Sequence, residues 1–166
     1  MSQDNKLRAS FNKVTELYDL VRPHYPEQLF DSIVKVAQLH ESAKLLEIGP
    51  GTGQATEPFV KRRYDITAVE LGSDLADFTR DKLAEYKNLK IITGDFEDIN
   101  LESTSFDLIY SATAFHWIKP EVKFYKPYNL LKSGGHLAII HTNNVSAEKE
   151  DKFFYALQPI YKKYRP

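Results

Sequence analysis

The chain has no cysteine among its 166 residues. A disulfide frame and a thiolate metal site are therefore excluded, and the composition suits a cytoplasmic protein. It also lacks an excess of either charge. The 22 Lys and Arg against 23 Asp and Glu leave a formal −1, which gives no electrostatic footprint for nucleic acid or for an anionic membrane. No apolar run approaches the roughly 20 residues of a membrane-spanning helix. The opening Met-Ser-Gln-Asp-Asn-Lys has no signal-peptide core. Internal repeats and low-complexity tracts are absent too. His24, His40, His136 and His141 show no ligand spacing such as H-x-x-x-H, so no metal site is expected. What survives these exclusions is one structural domain, long enough to bury a core.

Against that background one stretch stands out, Leu45-Leu46-Glu47-Ile48-Gly49-Pro50-Gly51-Thr52-Gly53-Gln54. A short apolar run closed by an acid reads as a buried strand, and the alternate glycines read as a tight turn with bare backbone. Glycine suits left-handed backbone angles and leaves room for a ligand to approach. A segment beginning near Gln54 would then present free N–H groups over the turn. In an open α/β sheet this is the usual place for a nucleotide-type ligand.

The rest of the chain alternates strands and helices. A helix is expected up to about Val21, with Leu7, Phe11, Val14, Leu17 and Tyr18 on one stripe, and it is broken at Arg22-Pro23-His24-Tyr25-Pro26. Pro26 opens a second helix that buries Leu29, Phe30, Ile33, Val34 and Ala37. Further strands are expected at 65–70, 89–93, 106–110 and 136–141. Helices are expected from Gln54 to Lys61, from a Ser73 N-cap to Tyr86, from Pro120 to Leu131, and from Ala147 to Tyr164. Ser133-Gly134-Gly135 reads as the stop of the helix before it. This order predicts an α/β fold, a Rossmann-like doubly wound and mostly parallel sheet of about five strands with helices on both faces. Residues 1–40 form a helical cap or lid on a ligand-binding domain over 41–166.

Three acids close successive strands. Glu70 lies seventeen residues past Gly53, on a strand that neighbours the first in such a sheet, so it can reach the ribose of a ligand held by the glycines. Gly94-Asp95-Phe96 follows the third strand, where Asp95 can accept from an adenine amino group and Phe96 can pack on the ring. Alone, Asp95 reads equally as an Asx-type turn. The dinucleotide fingerprint wants a third glycine where Gln54 stands, and no Gly-Lys-Ser/Thr follows for a P-loop.

The pattern Glu-x-Gly-x-Gly-x-Gly, followed by Glu70 and then Asp95, resembles motif I and its successors in the class I S-adenosylmethionine (SAM)-dependent methyltransferases. The resemblance implies SAM as cofactor and S-adenosylhomocysteine as product. It implies that Glu47 meets the ligand's cationic end, that Gly49, Gly51, Gly53 and Gln54 form the loop, and that Glu70 with Leu71 takes the ribose. Asp95 and Phe96 then take the adenine, and Ser111 and Ala112 let the methionine part lie against backbone. Phe115-His116-Trp117, with the Tyr18…Arg22-Pro23-x-Tyr25-Pro26 element, looks similar to the trans-aconitate methyltransferase-like small-molecule branch. On that likeness Phe115, His116 and Trp117 form a substrate rim, Tyr18 and Arg22 are further pocket residues, and His116 is the candidate base.

Methyl transfer is an in-line displacement that depends on alignment, and a base is needed only if the acceptor loses a proton. The expected activity is transfer to a small-molecule acceptor, with no nucleic acid or membrane partner. Two alternatives stay open, a non-catalytic SAM-binding domain or inactive fragment, and an NAD(P)-dependent oxidoreductase. The family sheet has two more strands than this chain has room for, so the sequence reads as shortened after strand five. Strand 136–141 would then be an open edge, able to pair with a second copy.

Overall fold

The computed structural model describes residues 19–20, 24–142, 156–159 and 163. The helices expected before Val21 and after Ala147 fall largely outside them. Of those stretches, Asp19, Leu20, Ala156–Pro159 and Lys163 are helical. The ordered sequence of elements is α1 (Glu27–Val36), β1 (Lys44–Ile48), α2 (Thr56–Lys61), β2 (Asp65–Glu70), α3 (Ser73–Lys82), β3 (Leu89–Thr93) and β4 (Phe106–Ala112). After a 3₁₀ turn at Phe115–Trp117 come α4 (Pro120–Lys123), α5 (Tyr125–Leu130) and β5 (Leu131–Ile140).

The five strands form one sheet in the order β3-β2-β1-β4-β5, every neighbouring pair parallel. Side chains alternate across a strand, and the two cores divide accordingly. Leu45, Leu108 and Tyr110 face one side with Phe30 of α1 and Phe59 of α2. Leu46, Ile48 and Ile109 face the other with Phe96, Phe115 and Leu130. Phe30 and Phe59 meet edge to face at 5.2 Å, and Arg62 fastens α2 to α1 through Glu27 and Asp31. Because all strands run the same way, every strand-to-helix turn that follows a strand opens on one rim of the sheet.

Three local expectations are corrected. Gly72, in extended backbone, holds the N-cap position of α3 and Ser73 is its first residue; the helix ends at Lys82, short of Tyr86. The helix expected over 120–131 is two short helices that meet at Phe124, because Pro127 supplies no backbone donor. Ser133-Gly134-Gly135 lies inside β5 at a register shift, where Phe106 faces Leu131 but Leu108 faces His136. Gly135 fits there because a Cβ would come within 3.0 Å of the Lys132 carbonyl and 3.1 Å of the Asp107 carbonyl.

Candidate active site

A hollow of about 270 Å³ opens on the carboxyl rim of the sheet, between the turns that follow β1, β2, β3 and β4. Its floor is the glycine turn. Gly49, Gly51 and Gly53 all hold positive φ, at 71°, 58° and 81°, in the region that other residues enter only at a cost. Gly49 has no room for a Cβ, since one would lie 2.7 Å from that of Ala114. Above Gly51 nothing lies within 4 Å of the corresponding point, leaving bare backbone facing space.

Neighbouring side chains hold this turn from outside. Glu70 accepts from the Gly51 N–H at 3.0 Å through Oε2, and from the Gly72 N–H at 2.9 Å through Oε1. Thr79 of α3 donates to the Gly51 carbonyl at 2.6 Å. Lys82, also of α3, donates to the Thr52 carbonyl at 3.1 Å while pairing with Asp19 at 2.8 Å. A turn with its backbone groups fixed in advance needs no reordering when a ligand arrives.

Of the residues singled out in the sequence, Gly49, Gly51, Gln54, Glu70, Leu71, Phe96, Ala112, His116 and Trp117 line the hollow. Five expected site residues, Glu47, Gly53, Asp95, Ser111 and Phe115, do not. Glu47 is 1% exposed and lies across from Tyr110 on the neighbouring strand. Its Oε2 accepts from Thr56 Oγ1 at 2.6 Å and from the Tyr110 hydroxyl at 2.9 Å. Burial pushes its pKa up to about 7, against the lowering effect of those two hydrogen bonds and helped by the nearby charge of Glu70. Glu47 thereby links β1 to the start of α2 and to β4.

Gly53 does not line the hollow either; its missing Cβ makes way for Thr79 and Leu83, at 2.9 and 3.2 Å. Ser111 is fully buried and donates to the Ile48 carbonyl at 2.8 Å, joining β4 to β1. Phe115 belongs to the core beside Phe124, 5.5 Å between centroids, and leaves the rim to His116 and Trp117. Asp95 stands between two lining residues, Gly94 and Phe96, and its Oδ1 accepts from the Glu97 N–H at 3.0 Å in an Asx turn. Tyr18 and Arg22 lie outside the described residues.

Other lining residues were missed in the sequence. Thr52 is 2% exposed, and its Oγ1 is a buried hydroxyl without a hydrogen-bond partner among the described residues. An orphaned donor beside bare backbone and a rim carboxylate is what a ligand carrying hydroxyls and acceptor groups would complete. Tyr25, from the segment before α1, donates to or accepts from Thr113 Oγ1 at 2.8 Å. Nothing in local spacing announces a bond across 88 positions. The His116 and Trp117 rings lie 4.8 Å apart between centroids, tilted by 41°. Burial pushes the His116 pKa down, with help from His141 and Lys123, which favours the neutral ring. Among the described residues no cluster of His, Asp and Glu could hold a metal ion, and no helix is long and apolar enough to cross a membrane.

Comparison with known proteins agrees with this geometry. Residues 46–139 match the methyltransferase domain family. An uncharacterised methyltransferase of Mycobacterium tuberculosis is 30% identical over 134 residues, 81% of this chain and 52% of that protein. A malonyl-[acyl-carrier protein] O-methyltransferase of Priestia megaterium is 31% identical over 137 residues, 79% of this chain and 49% of that one. The chain thus spans about half the length of the curated relatives it matches. Among solved structures, a candidate SAM-dependent methyltransferase of Methanococcus maripaludis superposes with a TM-score of 0.67 at 22% identity, covering 99% of this chain and 76% of that one. A rim hollow on a five-stranded parallel sheet, a glycine turn held by strand-end acid and helix, and a matching sequence over its central 94 residues (46–139) together decide the family: the chain belongs to the SAM-dependent methyltransferases.

Proposed function

We propose that this chain transfers a methyl group from SAM to a small-molecule acceptor, in the manner of the trans-aconitate methyltransferase-like branch. When bound, SAM supplies an activated methyl on a cationic sulfur. The residues of the chain do the holding and the alignment. Gly49, Gly51 and Gln54 form a floor for the amino-acid end, and Thr52 offers its hydroxyl to an acceptor group on the ligand. Glu70 has lone pairs left on both oxygens after binding two backbone N–H groups, so it can also accept from ribose hydroxyls. Leu71, Gly94 and Phe96 wall the adenine end, with Asp95 beside them. Glu47, Gly53 and Ser111 act from behind as positioning residues. Residues 1–40, Tyr18 and Arg22 included, serve as the cap. In this reading the Asp19–Lys82 pair ties the cap to the glycine turn.

The observation that carries the reading is the Glu70 carboxylate, fixed at the rim by the loop it is meant to serve. S-adenosylhomocysteine added at saturating concentration should raise the melting temperature of the wild type and raise that of Glu70→Ala far less. Equal shifts in the two proteins would remove Glu70 from the site. Transfer itself is tested by incubating the chain with methyl-labelled SAM and a small-molecule cell extract. Retained S-adenosylhomocysteine binding with no label in any extract component would favour a binding domain without turnover. His116, whose pKa burial lowers so that the neutral ring is favoured, can take the proton that an O–H or N–H acceptor must lose.

A further inference from the structure

The hollow contains, in the same lining as the rim residues His116 and Trp117, a polar fixture that family membership does not explain. Tyr25 Oη and Thr113 Oγ1 lie 2.8 Å apart, partly buried, and both residues line the hollow together with Trp117 and His116. Thr113 follows β4 directly and holds φ 58°. For a β-branched residue this is a true outlier, in a region where residues of its kind are costly to keep. Its backbone is pinned, for its N–H donates to the Ile140 carbonyl of β5 at 2.8 Å. The neighbour Ala114 fills the space that the absent Gly49 side chain leaves, which sets Thr113 opposite the glycine floor. Tyr25 is positioned as firmly from the other side, its ring edge-on to the buried Phe30 at 6.3 Å.

Two hydroxyls from distant parts of the chain are therefore brought together at the mouth, one of them by a strained backbone. An apolar acceptor would leave this pair idle. A hydroxyl pair can donate one proton outward and keep one for itself, and it can also accept, so it suits a group that both gives and takes a hydrogen bond.

We infer that Tyr25 and Thr113 form a coupled positioning pair that selects a protic acceptor, one whose methylated atom is an O–H or N–H group. This rests on the methyltransferase reading above, and it adds the chemical class of the acceptor. Neither residue is a base; the pair orients the acceptor's lone pair toward the donor side of the hollow.

The test uses the single tryptophan of the chain, Trp117, as a reporter beside the pair. Calorimetry with S-adenosylhomocysteine comes first, and absence of binding by the wild type would sink the methyltransferase reading itself. With that ligand saturating, phenol and toluene are titrated while Trp117 emission is followed, excited beyond the phenol band. The wild type should bind phenol about fivefold more tightly than toluene, the worth of one net hydrogen bond. In Tyr25→Phe and in Thr113→Val the preference should vanish, the double variant should lose no more than either single one, and S-adenosylhomocysteine affinity should stay within about twofold. Three outcomes would overturn the inference: no protic preference in the wild type, a preference that survives both substitutions, or a parallel loss of S-adenosylhomocysteine affinity. Thr113→Ser, which keeps the hydroxyl, should restore the preference and guards against loss through misfolding.

Discussion

At the scale of single residues, Glu47 is the most informative, because its chemistry and its position disagree with its place in the motif. Its carboxyl is held near a pKa of about 7 by burial, well above the ordinary 4.5. The folded state therefore binds a proton that the unfolded chain has released between those two values. The stabilisation is complete below about 4.5 and is lost as pH rises through about 7. Glu47→Gln keeps an acceptor for Thr56 and Tyr110 but cannot ionise. Denaturant unfolding at pH 5 and pH 8 should show the variant gaining on the wild type by roughly 3 kcal/mol at the higher pH. A pH-independent difference would mean that the carboxyl is ionised throughout.

Two glycines with similar φ should respond differently to alanine. Gly53 (φ 81°) would drive its Cβ to within 2.9 Å of Thr79, whereas Gly134 (φ 79°) has open space. Gly134→Ala should cost only the backbone penalty, about 1–2 kcal/mol. Gly53→Ala should cost about 1–3 kcal/mol more for overpacking against α3. If the two losses are equal, the close approach of α3 to the turn is not tight in solution. His116→Gln should slow transfer to a protic acceptor about a hundredfold or more. It should also abolish the acid limb of the rate profile, which in the wild type is displaced downward from the ordinary histidine value because burial disfavours the charged ring.

At the scale of elements, the strands were legible because their apolar runs are short, and the first three carry or precede an acid at the end. Asp65–Glu70 and Leu89–Thr93 agree with expectation at both ends. The face on which each residue falls was legible too, though not used. Leu46 and Ile48 bury on one side, so the pleat sends Glu47 to the other, toward Tyr110 and Thr56. What local pattern could not supply was long-range geometry. Ser133-Gly134-Gly135 carries the composition of a helix stop, yet β4 pairs with this segment through a register shift. Phe115 reads as rim until α5 and Phe124 are seen to cover it. Tyr25 could not be joined to Thr113 without the fold.

The outer strand makes its own prediction. Among the described residues β5 pairs only with β4, and Ile139 is 49% exposed. We propose that two copies of the chain associate through strand 136–141, since an edge of unpaired backbone with apolar side chains invites another strand. Sedimentation velocity should show a concentration-dependent dimer, and Ile139→Lys should shift it to monomer. A monomer at all concentrations in the wild type would remove the proposal.

At the scale of the molecule, the hollow is lined wholly by residues that the family match or its flanks contain, from Tyr25 to Ile118. Ligand capture is therefore expected of this chain, although it spans only about half the length of its curated relatives. At a hundred times its dissociation constant, S-adenosylhomocysteine should stabilise the fold by about 2.7 kcal/mol. For a domain of this size that is a rise of roughly 5–10 °C in melting temperature. NAD at the same concentration should leave the melting temperature unchanged. A larger shift with NAD would contradict the family assignment at the level of ligand.

The strand order β3-β2-β1-β4-β5 also has a temporal meaning. A ribosome delivers β1, β2 and β3 in sequence, and these three are consecutive in the sheet, so one half of it can zip before the other half exists. The glycine turn and Glu70 belong to that early half, while Ala112, Thr113, His116 and Trp117 arrive with β4 and its sequel. A nascent chain released before β4 would own the cradle and no opposite wall. Trapping of the nucleoside should thus switch on late in synthesis, in a single step, when β4 docks against β1.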